Sequence, residues 1–271
     1  MLAELLEILD SEMTKPEMYG WFHILWLLIT AGVTIFLCKV YRNAMPKQVC
    51  RIILSVSLLV ILLEVYKQIN YTFSVTDAGE IKKDFQWYAF PYQFCSTPMY
   101  IGLLAGIIRK DRIHKGLCAY LATYAVFAGV AVMLYPADVF IKTIGINVQT
   151  MICHGSMITV GIYLLYTGYV KVEHKTILKA LPVFAVCVAV AVLMNEVLYA
   201  SGILKGETFN MFFVSRHFAP SLPVYSLVQQ FVPYPWCLVL YVAGFTAAAY
   251  LILLLAIGVK RIAGKKTPVT V

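Results

Sequence analysis

The chain has 271 residues, 61% hydrophobic and 13% charged, with a mean hydropathy of +0.79. A soluble domain carries about 25% charged residues, so this composition excludes an ordinary water-soluble globule. The net charge of +8 does not indicate nucleic acid, because the basic residues alternate from loop to loop instead of forming one patch.

The first residues are acidic (Glu4, Glu7, Asp10, Glu12), unlike the basic start of a cleavable signal. Leu2, Leu5, Leu6, Leu9 and Met13 share one helical face. That pattern predicts a short amphipathic helix at the membrane surface, or an acidic leader with no structure of its own. The chain reads as one all-α integral membrane domain over residues 1–271. Seven transmembrane helices are predicted, roughly 19–38, 50–70, 88–108, 116–136, 148–170, 177–200 and 232–258, since a span needs about 20 apolar residues. A transmembrane barrel would show short alternating segments. Ile52–Leu63 and Phe184–Met194 are instead almost continuously apolar.

Fifteen Lys and Arg residues fall in the loops after the first, third and fifth spans and in the tail, against six on the other side. The tail alone carries Lys260, Arg261, Lys265 and Lys266. This positive-inside pattern places the N-terminus outside and the C-terminus in the cytoplasm of a cell that inserts the chain as a multi-pass protein of its cell membrane.

Two outer connections are long. Tyr71–Trp87 is polar and mixed in charge. The stretch 201–231 is aromatic and broken by proline: Met211, Phe212, Phe213 and Phe218 precede Pro220 and Pro223. It predicts an interfacial or re-entrant lid, with a hydrophobic loop lying on headgroups as the plainer reading.

Polar or reactive side chains collect near the outer ends of six spans: His23, Glu64 and Lys67, Cys95, His154, Asn195 and Glu196, and Trp236. Polar groups inside a bilayer are costly and survive where they line a site or satisfy one another. Cys95 sits in Phe90-Pro91-Tyr92-Gln93-Phe94-Cys95-Ser96-Thr97-Pro98, where Pro98 within a helix would free the carbonyl of Phe94. With a helix starting near Gln86, the thiol would lie about 13 Å below the outer end. His154 lies near the start of the fifth span, about 9 Å down by the same arithmetic. A thiol and an imidazole from separate spans suit acyl transfer, because the imidazole can take the thiol proton. Gln93, Asn195 and Asn210 are candidate donors to an oxyanion or substrate. Glu64 and Lys67 are three residues apart and read as a structural ion pair, with Lys67 also a candidate phosphate ligand. Trp236 is a further candidate substrate contact. His23 stands with Trp21, Phe22 and Trp26 as part of an aromatic belt. The alternatives are a kink-packed Cys95 and a His154 that hydrogen-bonds between helices. The seven cysteines form no CxxC pair, so no disulfide framework or metal site is implied, and no cofactor is needed.

Three motifs carry a resemblance to the YwaF-type family of integral membrane proteins. They are Pro91-Tyr92-Gln93-Phe94-Cys95, then His154-Gly155, and Asn210-Met211-Phe212-Phe213 leading through Pro220-Ser221-Leu222 to Pro233-Tyr234-Pro235-Trp236. The resemblance implies kinship with eukaryotic membrane acyltransferases that load acyl chains onto ether lysophospholipids. It also implies that Cys95 and His154 match the catalytic pair proposed there. The expected function is a lipid acyltransferase or lipid hydrolase working through a Cys95 thioester, with membrane lipids as substrates. A transporter or small-molecule receptor would use the same pocket through Lys67, Asn195 and Asn210 and leave Cys95 unreactive. A third reading has these polar groups only gluing helices together.

Overall fold

The computed structural model describes residues 2–219 and 223–265. In chain order the helices are α1 (Leu2–Leu9), α2 (Trp21–Val40), α3 (Pro46–Asn70), α4 (Thr97–Ile107), α5 (Asp111–Ala122), α6 (Tyr124–Leu134), α7 (Ile144–Tyr166), α8 (Lys175–Ala200), α9 (Pro223–Gln229) and α10 (Tyr234–Lys265). Strands β1 (Phe73–Val75) and β2 (Ile81–Lys83) form an antiparallel hairpin within the polar connection after α3. The Pro220-Ser221-Leu222 part of the resemblance and Lys266 of the basic tail lie outside the described residues.

Among the described residues, six helical segments are long and apolar enough to cross a membrane: Trp21–Val40, Pro46–Asn70, Asp111–Leu134, Ile144–Tyr166, Lys175–Ala200 and Tyr234–Ile262. The expected third span, 88–108, is not one helix. A single 3-10 turn at Trp87–Ala89 is followed by irregular chain, and only Thr97–Ile107 is α-helical. Those 11 residues rise about 17 Å, little more than half of a 30 Å hydrocarbon core. The reason is local: Pro91 and Pro98 both lack an N–H, and Pro98 takes the first turn of α4, where no helical donor is needed. Pro98 therefore starts a helix instead of kinking one. The expected 116–136 span is also divided. Thr123 leaves helical geometry (φ −129, ψ −75) between α5 and α6, and its hydroxyl donates to Ala119 O at 2.7 Å.

The bundle has an inside and an outside. The α5–α6 segment and α7 are 72% and 67% buried over their most apolar windows, whereas the other four spans are 17–33% buried. The two inner segments touch closely because glycine allows it. A Cβ on Gly129 of α6 would stand 2.7 Å from the His154 carbonyl, and one on Gly155 would meet the Thr30 hydroxyl of α2 at 2.6 Å. The α7 backbone at residues 154–155 is thus held close to both α2 and α6. Among the outer helices, exposed Leu28, Leu62, Val186 and Leu255 present the apolar face that lipid would cover. α1 is pinned at the end opposite the basic loops, where Tyr66 Oη donates to Leu9 O at 2.7 Å. Its Leu6 is buried while Leu2, Leu5 and Ile8 are exposed.

Candidate functional site

Within the stretch expected to be an interfacial or re-entrant lid, residues 209–215 are packed into the bundle. Phe209, Met211, Phe212, Val214 and Ser215 are fully buried, yet their backbone is irregular. Phe212 and Phe213 both have φ of +58, a conformation that bulky side chains rarely adopt. Non-helical backbone at membrane depth survives only where protein satisfies it, and here three predicted site residues do so. Asn195 Nδ2 donates to Met211 O at 3.0 Å, and its Oδ1 accepts from Met211 N at 2.8 Å. Gln93 Nε2 donates to Asn210 O at 3.0 Å while its Oε1 accepts from Phe212 N at 2.9 Å. Asn210 Oδ1 accepts from Ser215 N at 2.8 Å. Gln93 and Asn195 therefore hold a strap, 209–215, and have their amides committed to backbone. The Asn210 Nδ2 is buried without a partner among the described residues. Tyr234 Oη closes the strap by donating to Val214 O at 2.7 Å. Phe212 packs against Tyr92, Phe94 and Phe184, so the strap and the Cys95 segment share one aromatic core.

Cys95 lies in the turn that precedes α4, two residues before its first helical residue. The 13 Å depth expected from a helix starting near Gln86 does not apply, because no helix covers 90–96. Cys95 keeps some accessible surface, while Ser96, Thr97 and Pro98 are buried. This is the end of α4 at which the peptide dipoles favour negative charge.

α3 supplies the charges. Glu64 is buried and its carboxylate accepts from Lys67 Nζ (2.9 Å), Gln68 Nε2 (2.9 Å) and Gln149 Nε2 (3.2 Å). Gln68 also donates to Ala89 O at 2.9 Å, tying α3 to the chain just ahead of Cys95. The Lys67 ammonium has three donors, and Glu64 is its acceptor here. It lies within electrostatic reach of Cys95, Cys153 and His154. A groove of about 350 Å³ opens beside this network, with Glu64 and Gln68 in one wall and Pro91, Met99 and Tyr100 in the other.

His154 is 5% exposed. It begins ten residues into α7, about 15 Å from the helix start at 1.5 Å per residue, deeper than the 9 Å expected because α7 starts at Ile144. Its Nδ1 is 2.7 Å from Thr150 O. A carbonyl can only accept, so Nδ1 carries the proton and Nε2 presents a bare lone pair. That Nε2 is buried and has no hydrogen-bond partner among the described residues. The Cys95 thiol is therefore not hydrogen-bonded to it. The Lys67 charge acts on both groups.

The TMEM164 family model matches residues 18–255. This chain belongs to the TMEM164 family. No curated protein and no solved structure matches it. The family match starts ahead of α2, ends within α10 and takes in all three sequence motifs, and the six long apolar helices among the described residues make the chain a multi-pass membrane protein.

Other predicted residues of this TMEM164-family chain stand apart from the recess. Trp236 is 64% exposed on the outside of α10. His23 is fully buried, but both ring nitrogens are used: Nδ1 accepts from Tyr19 N at 2.9 Å and Nε2 faces Met133 O at 2.8 Å. Glu196 is not simply solvated. It accepts from Arg216 (2.7 Å) and His217 (3.0 Å), and this hydrogen bond and charge push the Arg216 guanidinium to a higher pKa.

Sequence reasoning missed one cluster at the basic end. His114 Nδ1 donates to Ile108 O at 3.1 Å, and its Nε2 meets Tyr169 Oη (2.7 Å), Cys118 Sγ (3.5 Å) and Cys50 Sγ (3.9 Å). The signal was the four-residue spacing of His114 and Cys118, which places both on one face of α5.

Proposed function

We propose that this protein is a membrane lipid acyltransferase or lipid hydrolase that works through a Cys95 thioester. The observation that carries the reading is His154: a buried imidazole whose tautomer is fixed by Thr150 and whose basic nitrogen faces no protein partner. A group held so at a cost of about 1–3 kcal/mol is arranged for something the protein does not itself supply. The Cys95 sulfur attacks the carbonyl of a lipid ester. The carbonyl oxygen takes the charge, and Lys67, with donors to spare, stabilises it. The ester C–O bond breaks, the leaving alcohol takes the thiol proton by way of His154, and an acyl-cysteine remains. A lysolipid hydroxyl or water then gives its proton to His154 Nε2 and attacks the thioester, and the thiol is regenerated. The chemistry uses three side chains, Cys95, His154 and Lys67, and calls for no cofactor. The YwaF-type likeness seen in the sequence favours a phospholipid ester and transfer to a lysophospholipid. The charge pattern favours an N-terminus outside, a cytoplasmic C-terminus and residence in the cell membrane, with α4 and the chain before it completing a seventh crossing.

The second reading is a transporter or lipid-binding protein with an inert Cys95. It is favoured by the missing Cys95–His154 hydrogen bond and by the groove beside Glu64 and Gln68. An ester lipid probe that traps acyl-cysteines separates the two. Wild type should be labelled and Cys95→Ala should not. Labelling that persists in Cys95→Ala removes the thioester mechanism, and solute uptake into liposomes unchanged by Cys95→Ser would favour the second reading.

A further inference from the structure

On the outside of the bundle, α8 and α10 separate toward the basic end and leave a groove of about 670 Å³. Leu178, Leu181, Val239, Val242 and Ala243 line it, and Lys175 stands at its mouth. Leu178 and Val239 are 64% and 54% exposed, so no described part of the protein covers them. The mouth has a fixed width, because His174 Nδ1 and Tyr250 Oη meet at 2.6 Å and join the two helices there. The neighbouring carboxylate of Glu173 is hydrogen-bonded to Lys179 at 3.1 Å, which leaves the exposed Lys175 ammonium for another anion. Pro182, inside α8, has no N–H for the carbonyl of Leu178 four residues earlier. A wall residue therefore also offers a backbone acceptor without its helix donor.

An apolar channel along two helices with a cation at one end fits a lipid with a negative headgroup better than it fits protein. We infer that this groove holds one anionic phospholipid from the leaflet that faces the basic loops. Its phosphate sits at Lys175, and one acyl chain lies between Leu181 and Val239. The charge of that leaflet is complementary, since cytoplasmic surfaces are rich in anionic lipids that attract Lys and Arg. The inference does not depend on Cys95 or on any reaction.

The test uses the full-length protein in phosphatidylcholine vesicles with a fluorescent reporter in the groove, Leu181→Trp. A second reporter, Val239→Trp, guards against a disturbed site. Each is compared with the protein lacking the reporter, to subtract the native tryptophans. Chain-brominated phosphatidylglycerol or chain-brominated phosphatidylcholine is then added as quencher. Phosphatidylglycerol should reach half-maximal quenching at an about fivefold lower mole fraction, the preference one lysine near the surface gives. Lys175→Gln should abolish that preference without abolishing quenching. Equal quenching by the two lipids overturns the inference, as does a preference that survives Lys175→Gln. Protection from both lipids that is lost on dilution of the protein in the vesicle would mean a second copy covers the groove, and would also overturn it.

Discussion

Two histidines, one at the basic end of the bundle and one near the middle of α7, illustrate the same chemistry in two states. His114 and His154 both donate through Nδ1 to a backbone carbonyl, so both present a bare Nε2. At the basic end that nitrogen is saturated: Tyr169 sits on it and two cysteine thiols crowd it. In α7 the nitrogen is buried and faces no donor among the described residues. The thiols of the first cluster are fully buried, whereas Cys95 keeps accessible surface. A thiol beside an imidazole is thus not enough to mark a site. What distinguishes the His154 region is an unmet polar group together with the Glu64-paired Lys67 and a cysteine that is not fully buried.

The largest effect should follow from removing the unmet base. His154→Gln keeps a polar side chain and loses proton transfer, so ester turnover in vesicles should fall by about 10²–10⁴-fold with the melting temperature little changed. A variant that melts much lower but turns over normally would reverse the contrast. Next is the Glu64–Lys67 pair. Lys67→Met leaves Glu64 buried and unpaired, which costs about 3–5 kcal/mol in thermal unfolding, and the double variant Glu64→Gln/Lys67→Met should recover much of it. Asn195→Ala takes both partners from Met211 and should cost about 1–3 kcal/mol for each buried group left unpaired. It should also lower activity by loosening the strap against Phe94. The smallest effect belongs to the saturated cluster. His114→Phe should cost about 1–3 kcal/mol and leave turnover unchanged. A loss of turnover there would mean that the reactive pair had been placed at the wrong end.

Hydropathy revealed the membrane bundle, because each of the six long spans holds an apolar window of 18 residues. It misjudged the third, because a run such as Trp87–Ile107 is apolar whether or not it is helical, and only the spacing of Pro91 and Pro98 hinted at a half-length helix. Residue type alone picked out Cys95, His154, Lys67, Gln93, Asn195 and Asn210 as unusual. It could not say which of them face a cavity and which hold backbone. Gln93 and Asn195 are polar at membrane depth because the strap at 209–215 has donors and acceptors that no helix satisfies. That need arises from a tertiary contact more than 100 residues away in the case of Gln93, and no local pattern records it. Trp236 was selected for its place in a motif, and its outward position follows from the turn of α10 on which it falls.

Mapping acyl-cysteines by mass spectrometry in His154→Gln, after exposure to an ester lipid in vesicles, puts the central idea to the most direct trial. With the base gone, the second half of the reaction slows most, and a hydroxylamine-labile acyl group should accumulate on Cys95 and on none of the other six cysteines. An acyl group on Cys50 or Cys118, or no acyl-cysteine in either wild type or variant, would contradict the account.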